Sequence, residues 1–444
     1  MSRMYYQEEV IRILKKLIRI NSINPFEIQK VGSKDIKSWK IGGNETKIAG
    51  FISSKLKEVG FKVTPRYVHS DINGTKFYNL LGEKGVGKHS ILFYGHMDTG
   101  NAECWESKKQ ALTPAIKMMN IDGKLKEVIV GLGTNDMKAG LAVILTAFKD
   151  INPDTYKIKV AFVVDEEFYS LGANVLAESE FMDDVQAILV PEVGEGPNPS
   201  YGPSTITLGR LGRCQFVIQV GGAGGHVAQR IDKTRVFVNA ATECAKIISE
   251  IEDYNRNYKD EFKFYNCDVP DKRNRNTIQG GLFVTKVQAG DGTMYIPTEG
   301  EVIVDWIFTP NSSIDEGFNK LCMLVENACK KLSKHYHIKY RERPTPHSEA
   351  YITPYNHPFT QYVKEIINQQ IGFKNFNMGY SVADENVFKR VRKDIPLLVI
   401  GPIGNNCYKA DEWVEIESVV NLKKIYTEIG KQFDKYLTQG LHLP

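Results

Sequence analysis

The chain lacks the features that mark most non-enzymatic classes. None of its apolar runs reaches the roughly 18 residues that a bilayer span requires. The opening segment, MSRMYYQEEVIRILKKLIRI, reads as a charged amphipathic helix rather than a signal peptide. A membrane partner is therefore not expected, and a cytoplasmic location is. No block of lysine or arginine is dense enough for a nucleic-acid arm, and a formal charge of +4 over 444 residues is weak, so nucleic acid is not an expected partner either. The seven cysteines, Cys104, Cys214, Cys244, Cys267, Cys322, Cys329 and Cys407, form no CxxC pair and leave an odd number. They read as reduced, mostly buried thiols. Internal repeats and low-complexity segments are absent as well. With 42% hydrophobic and 25% charged residues, a chain of this length can bury a large core and fill more than one domain.

Periodicity predicts an α/β protein interrupted by an α+β insertion. In residues 1–205 helical signals (6–20, 45–60 and Lys138 to Asp150) alternate with strand signals near 61–68, 90–95, 128–132, 158–164 and 186–190. That alternation predicts a mainly parallel central sheet with helices on both faces. From about Gly209 the character changes. RCQFVIQVGGAGG, NTIQGGLFV, EVIVDWIFT and HIKYRERP read as strands, and RVFVNAATECAKIISEIEDY and CMLVENACKKLSK as helices. Two helices over a small, mainly antiparallel sheet would make a separate unit of residues 206–345. Residues 346–444 resume the first pattern, with a helix at 357–370, the strand LLVIG and a closing helix from Val414 to Leu437.

Four polar segments carry the chemistry: Gly95-His96-Met97-Asp98, Gly133-Thr134-Asn135-Asp136-Met137-Lys138, Asp165-Glu166-Glu167 and Pro191-Glu192. Each of the first three follows an apolar run, ILFYGHMD, VIVGLGTND or VAFVVDEE, and so reads as the C-terminal end of a central strand, where open α/β sheets hold ligands. His96 and Asp98 lie two apart and point the same way on an extended strand end. The carboxylate can then hold one ring nitrogen while the other binds a metal; a plain surface hydrogen bond is the alternative. Asp136, between a Gly-rich turn and a helix, is a ligand or an N-cap. Adjacent Glu166 and Glu167 repel each other unless a cation or solvent relieves them. Glu192 repeats the pattern of a carboxylate at a strand end.

Taken together, these segments resemble the di-zinc amidohydrolases and peptidases typified by acetylornithine deacetylase, succinyl-diaminopimelate desuccinylase, aminoacylase and carboxypeptidase G. The resemblance runs from GHMDTG and Trp105 through GLGTNDMKAG, DEEFYSLGA and PEVG to SVADENVF and IGPIGNNCYKADEWVEI. It implies a zinc-peptidase-like catalytic domain and an inserted lid and dimerisation domain. It also implies hydrolysis of an amide bond in a small N-acyl amino acid or peptide. His96, Asp136 and Glu192 would hold one Zn2+, and Asp136, Glu167 and a C-terminal histidine the other. Glu166 would be the general base and Asp98 would orient His96. His226 in GGAGGHVAQ would stabilise the oxyanion across a homodimer interface, and Asn276 would bind substrate. Ser381 and Asn386 would line the pocket, with helix capping as the other use of that segment. Co2+ or Mn2+ would suit an oxygen-rich second site.

Three positions depart from that pattern. Tyr408 in CYKADEWV stands where the family's ligand histidine belongs. A phenol must lose a proton near pH 10 to bind zinc well, whereas imidazole binds neutral. The second metal should therefore be weak, different or absent, which leaves open a mononuclear enzyme or a non-catalytic binding protein. Ile307 in VDWIFTP replaces an arginine that commonly grips a substrate carboxylate, so that carboxylate is expected to be different or missing. Leu132 replaces another common arginine, with no consequence that follows from the sequence.

Overall fold

A computed structural model describes residues 8–30, 39–193, 202–231, 237–258, 263–265, 277–329 and 336–440. The longest apolar runs form the middle of a nine-stranded sheet. Ser90–His96 is buried at every position, and Lys157–Val163 and Val185–Val190 almost so, the signature of strands covered on both faces. With Leu397–Val399 they run parallel, in the spatial order 397–399, 185–190, 90–96, 157–163. Towards the edges antiparallel pairing takes over. Lys76–Gly85 and Lys62–Ser70 extend one side; Thr205–Arg210 and Tyr351–Ile352 extend the other, with Asn375–Gly379 parallel to Thr205–Arg210. The α/β class holds, with a sheet that is parallel at its centre and antiparallel at its margins. The cause is local at one margin: Asp71 Oδ1 accepts from the Asn73 and Thr75 amides, and so tight a turn can join only antiparallel strands.

Helices Glu9–Arg19, Ala139–Ala147 and Ile416–Lys431 pack on one another beside this sheet. Ala139–Ala147 is buried at all its positions, which explains why AGLAVILTA has no polar face. The closing helix expected from Val414 to Leu437 divides into a short strand, Trp413–Glu415, and helices Ile416–Lys431 and Phe433–Gly440. Among the described residues no helix is long and apolar enough to cross a membrane.

A second sheet is wholly antiparallel, in the order Gly281–Ala289, Glu299–Phe308, Gly212–Gly221, Tyr336–Tyr340. Helices Ala240–Asn257 and Ile314–Ala328 cover it and share an apolar cluster separate from the main core, including Phe216, Ile247, Val304, Trp306 and Leu321. Asn239 and Ser313 cap these helices through their side-chain oxygens. The second helix begins at Ile314, well before the expected CMLVENACKKLSK, because Ser313 followed by Asp315 and Glu316 is a start signal.

The strand expected near 128–132 is not a central one. Lys124–Val130 instead forms a hairpin with Ala115–Ile121, and its other side pairs with Trp413–Glu415 in a small antiparallel sheet. The overlooked signal is Asp122-Gly123, whose φ values of 51° and 80° both lie in the left-handed region. Two such residues make the tight turn that joins antiparallel strands.

Candidate active site

His96 ends the strand Ser90–His96 and is only 1% exposed. Its Nδ1 lies 3.3 Å from Asp98 Oδ1, and its Nε2 lies 3.1 Å from Asp136 Oδ1. Burial opposes a charged ring, but the hydrogen bonds to Asp136 and Asp98 and the charge of Glu166 outweigh it and raise the proton affinity of the imidazole. A proton shared between Nε2 and Asp136 is what a cation would displace.

Asp98 does more than face His96. Its Oδ1 accepts from the Glu166 amide at 3.2 Å, and its Oδ2 from the Glu167 amide at 3.1 Å and from Asn24 Nδ2 at 3.0 Å. Asp165, at φ 63°, turns the chain just beyond Lys157–Val163, which brings both following amides round to one carboxylate. Asp165 is itself pinned: its amide donates to Glu45 Oε1 at 3.1 Å and its Oδ1 accepts from Asn24 at 3.2 Å. The price is a buried carboxylate cluster. Burial, then the charge of Asp98, pushes Glu45 up to about 8, and burial with Asp98 and Glu45 also raises Asp165.

Asp136 sits on a turn that Glu412 holds from beneath. The carboxylate of Glu412 accepts from the Gly133, Asn135 and Asp136 amides at 2.7, 2.7 and 3.0 Å. Asp136 is thus a projecting side chain and not an N-cap; no side-chain cap bond is made at the start of Ala139–Ala147. Glu192, just beyond Val185–Val190, is 6% exposed, and its Oε2 has no hydrogen-bond partner. Single donor atoms of His96, Asp136 and Glu192 all lie within 4.8 Å of one another.

Tyr408 lines the same cavity as Asp136 and Glu192. Its hydroxyl donates to Glu167 Oε2 at 2.9 Å. Its ring lies on Gly100, where an added Cβ would come within 2.8 Å of Tyr408 Cδ1. The charge of Asp136 first, then burial and the charge of Glu167, drives the phenol far above its usual range, so it is a neutral donor. Cys407 accepts from Asn135 Nδ2 at 3.1 Å and is likewise held as a thiol, by burial and then by the charge of Asp136.

Asp136, Glu166, Glu167, Glu192 and Tyr408 all line one cavity of about 510 Å³. Glu166 is half-buried there. Burial, with Asp384, Glu192 and Glu167 nearby, raises its proton affinity against the pull of His96. Ser381 lines the cavity too and accepts from Arg210 Nη1 at 3.0 Å. Asn386 does not: it is fully buried, with its Oδ1 taking the Ala383 amide and its Nδ2 donating to the Leu211 and Glu349 carbonyls. Its position is a helix cap that ties two loops together, because every one of these bonds goes to backbone. His226 lies apart from the cavity, packed edge-on against Tyr295 at 5.8 Å. Asn276 lies outside the described residues.

Sequence reasoning missed Asn24, Glu45, Glu412 and Arg210, and placed Asp384 only as a pocket or capping residue. Buried Arg210 reaches Glu385 Oε1 at 3.3 Å and Glu192 Oε2 at 3.7 Å. Asp384 receives the hydroxyl of Tyr94, and burial raises it to about 7. Only Glu412 had a signal, its place directly after Asp411 in the last motif.

A divalent cation fits the first donor set, an imidazole nitrogen and two carboxylates, one of which, Glu192, has a buried oxygen that makes no hydrogen bond. A second ion fits less well. Glu167 Oε1 is also buried and unpartnered, but Glu167 Oε2 already holds the Tyr408 proton.

The profile of Peptidase family M20/M25/M40 matches residues 92–432. Succinyl-diaminopimelate desuccinylase of Pelagibacter ubique is 25% identical over 431 residues, covering 95% of this chain and 98% of that one. The protein of the same name from Ehrlichia canis is 23% identical, covering 86% and 92%. Among solved structures, the aminopeptidase PepT of Bacillus cereus superposes with a TM-score of 0.69 at 16% identity, over 96% of this chain and 99% of that one. A Bacillus subtilis protein described as a dinuclear metal-binding peptidase gives 0.66 at 13%, over 98% and 99%. At such identities the structural likeness shows the fold.

Proposed function

The chain belongs to peptidase family M20/M25/M40, and from that premise we propose that it is a zinc-dependent hydrolase of an amide bond in a small N-acyl amino acid or peptide. The observation that carries this reading is the meeting of His96, Asp136 and Glu192 donors within 4.8 Å, where Asp136 and Glu192 line the same cavity as Glu166. His96, Asp136 and Glu192 hold the ion. Bound there, it supplies a Lewis acid for the scissile carbonyl and makes water more acidic. The chain's own groups do the rest. Glu166 takes a proton from the attacking water and returns it to the departing amine nitrogen. A carboxyl whose proton affinity is raised by burial suits a group that must carry that proton between the two events. Asp98 fixes His96 on one side and, through two amides, fixes where Glu166 and Glu167 stand.

In this reading residues 206–345 form a lid and a homodimer contact, and His226 reaches the partner's cavity to stabilise the oxyanion. The related desuccinylases favour an N-acyl amino acid as substrate. The test is Glu166→Gln in zinc-loaded protein assayed against N-acyl amino acids and dipeptides. Zinc content should be unchanged while turnover falls about 10²- to 10⁴-fold, the usual contribution of a general base. Full activity in that variant would remove Glu166 from the role.

A further inference from the structure

Tyr408 is held in a conformation that its residue type disfavours. Its φ is 61°, in the left-handed region, and Asn406 and Asp411 of the same loop lie there too, at 64° and 56°. For a bulky aromatic residue such a backbone is an outlier, and it persists only where surrounding contacts fix it. Those contacts are present. The Lys409 amide donates to the Asn406 carbonyl at 3.0 Å, and Asn406 Nδ2 donates to the Asp411 carbonyl at 3.2 Å. Asp411 Oδ1 accepts from Lys117 Nζ at 2.9 Å, which ties the loop to the strand Ala115–Ile121. The ring also needs a glycine beside it. A Cβ on Gly100 would come within 2.8 Å of Tyr408 Cδ1 and 2.9 Å of its Cε1.

This seat delivers a hydroxyl to the site. Tyr408 lines the cavity of Asp136, Glu166 and Glu192 and is 58% exposed, so it is open to a ligand there. A phenol keeps its proton at neutral pH, and this one donates to Glu167 Oε2 at 2.9 Å. Glu167 therefore carries a hydrogen-bond donor on the oxygen that a second cation would need. A donor and a cation share one electrostatic ability, since both favour an oxygen that gains negative charge.

We propose that the Tyr408 hydroxyl is a catalytic hydrogen-bond donor to the scissile carbonyl oxygen, standing in for a second metal ion. The inference rests on the amide-hydrolase reading for the bond that is cleaved. As water attacks the carbonyl carbon, Glu166 takes a proton from it and the C=O π pair moves onto oxygen. A neutral amide oxygen competes poorly with the Glu167 carboxylate for the Tyr408 O–H, whereas an oxyanion competes well. The O–H turns from Glu167 to that oxygen as charge develops, with no proton transferred. When the C–N bond breaks, the pair returns to the carbonyl, Glu166 gives its proton to the nitrogen, and the hydroxyl goes back to Glu167. An interaction made only in the transition state raises kcat and leaves KM alone. His226 would reach the same oxygen from the partner chain, and two donors commonly share one oxyanion.

The experiment compares the parent with Tyr408→Phe, each loaded with one equivalent of zinc. The amides are N-acetyl-L-alanine, N-succinyl-L-alanine and L-alanyl-L-alanine. The binding probe is the phosphinic isostere of each, whose tetrahedral phosphorus carries an anionic oxygen where the oxyanion would form. Tyr408→Phe should keep its zinc and its KM, lower kcat about 10²- to 10³-fold, and weaken calorimetric binding of the isostere by the same factor. In a Glu166→Gln background, which should hold the amides without consuming them, adding Tyr408→Phe should leave amide affinity unchanged. Gly100→Ala, which shifts the ring, should also lose isostere affinity with zinc retained. Unchanged kcat and isostere affinity in Tyr408→Phe would reduce Tyr408 to a cover over Glu167 and overturn the proposal. Equal weakening of amides and isosteres would overturn it too, by making the contact one of the ground state. A parent that hydrolyses none of these amides and binds none of the isosteres rejects the hydrolase reading itself, and with it any role for Tyr408 on a carbonyl.

Discussion

Replacing Tyr408 by histidine should raise the zinc content from close to one ion per chain to close to two. As the chain stands, an ion on Glu167 must first displace the Tyr408 hydroxyl, which donates to Glu167 Oε2 at 2.9 Å. Tyr408 is 58% exposed, and a typical hydrogen bond is worth about 0.5–1.5 kcal/mol net, so that displacement alone weakens the second site about 2- to 10-fold. The phenol then offers little in return. Asp136, burial and Glu167 hold its proton on, whereas imidazole ligates while neutral at pH 7. The ring rests on Gly100, so a shorter histidine side chain opens room on the same wall. Protein equilibrated with excess zinc and desalted is measured by plasma mass spectrometry, with tyrosinate absorbance followed during loading. The parent should give about one ion per chain and no tyrosinate signal. Two tightly held ions on the parent, with tyrosinate appearing as the second binds, would refute the reasoning by making Tyr408 a ligand.

Asp98→Asn should lower zinc affinity or turnover roughly 10- to 100-fold, the usual cost of losing a partner behind a metal ligand. An amide cannot accept from both the Glu166 and Glu167 amides and also serve His96, so an unchanged metal titration and rate would count against that account. Glu45→Gln tests the buried carboxylates through pH. Glu45 moves from 4.5 up to about 8 on folding, so its stabilising contribution is complete below pH 4.5 and is lost as pH rises towards 8. Relative to the parent, metal-free Glu45→Gln protein should gain denaturant resistance between pH 5 and 8; a constant difference across that range would contradict it. His226 is tested by mixing. If it serves the partner's cavity, Glu166→Gln and His226→Ala chains, each inactive alone, should recover about a quarter of parental activity on subunit exchange, since half the dimers then hold one intact site. No recovery despite exchange would place His226 elsewhere.

The sequence was most legible where a side chain follows directly from its strand. His96 and Glu192 come straight off the ends of buried parallel strands, and a run of apolar residues followed by a polar one announces such a place. Asp136 also follows an apolar run, but not one that ends a central strand. It comes from a hairpin and a turn, and an apolar run as short as Val128–Val130 reads the same in a hairpin as in a central strand. Asn386 failed for a related reason: a polar residue at a helix start is read equally well as a cap or as a binding group, and only its backbone partners decide. The groups that hold the site were illegible because they are remote in sequence. Asn24 lies 141 residues from Asp165 and Glu412 lies 276 from Asp136, and no local pattern encodes such meetings.

Those remote groups also explain how the chain tolerates its departures. The first donor set rests on Asp98, Glu412 and the turn at Asp165, none of which touches Tyr408 through a hydrogen bond. Changing the residue at 408 therefore alters what happens on Glu167 and leaves His96, Asp136 and Glu192 in place.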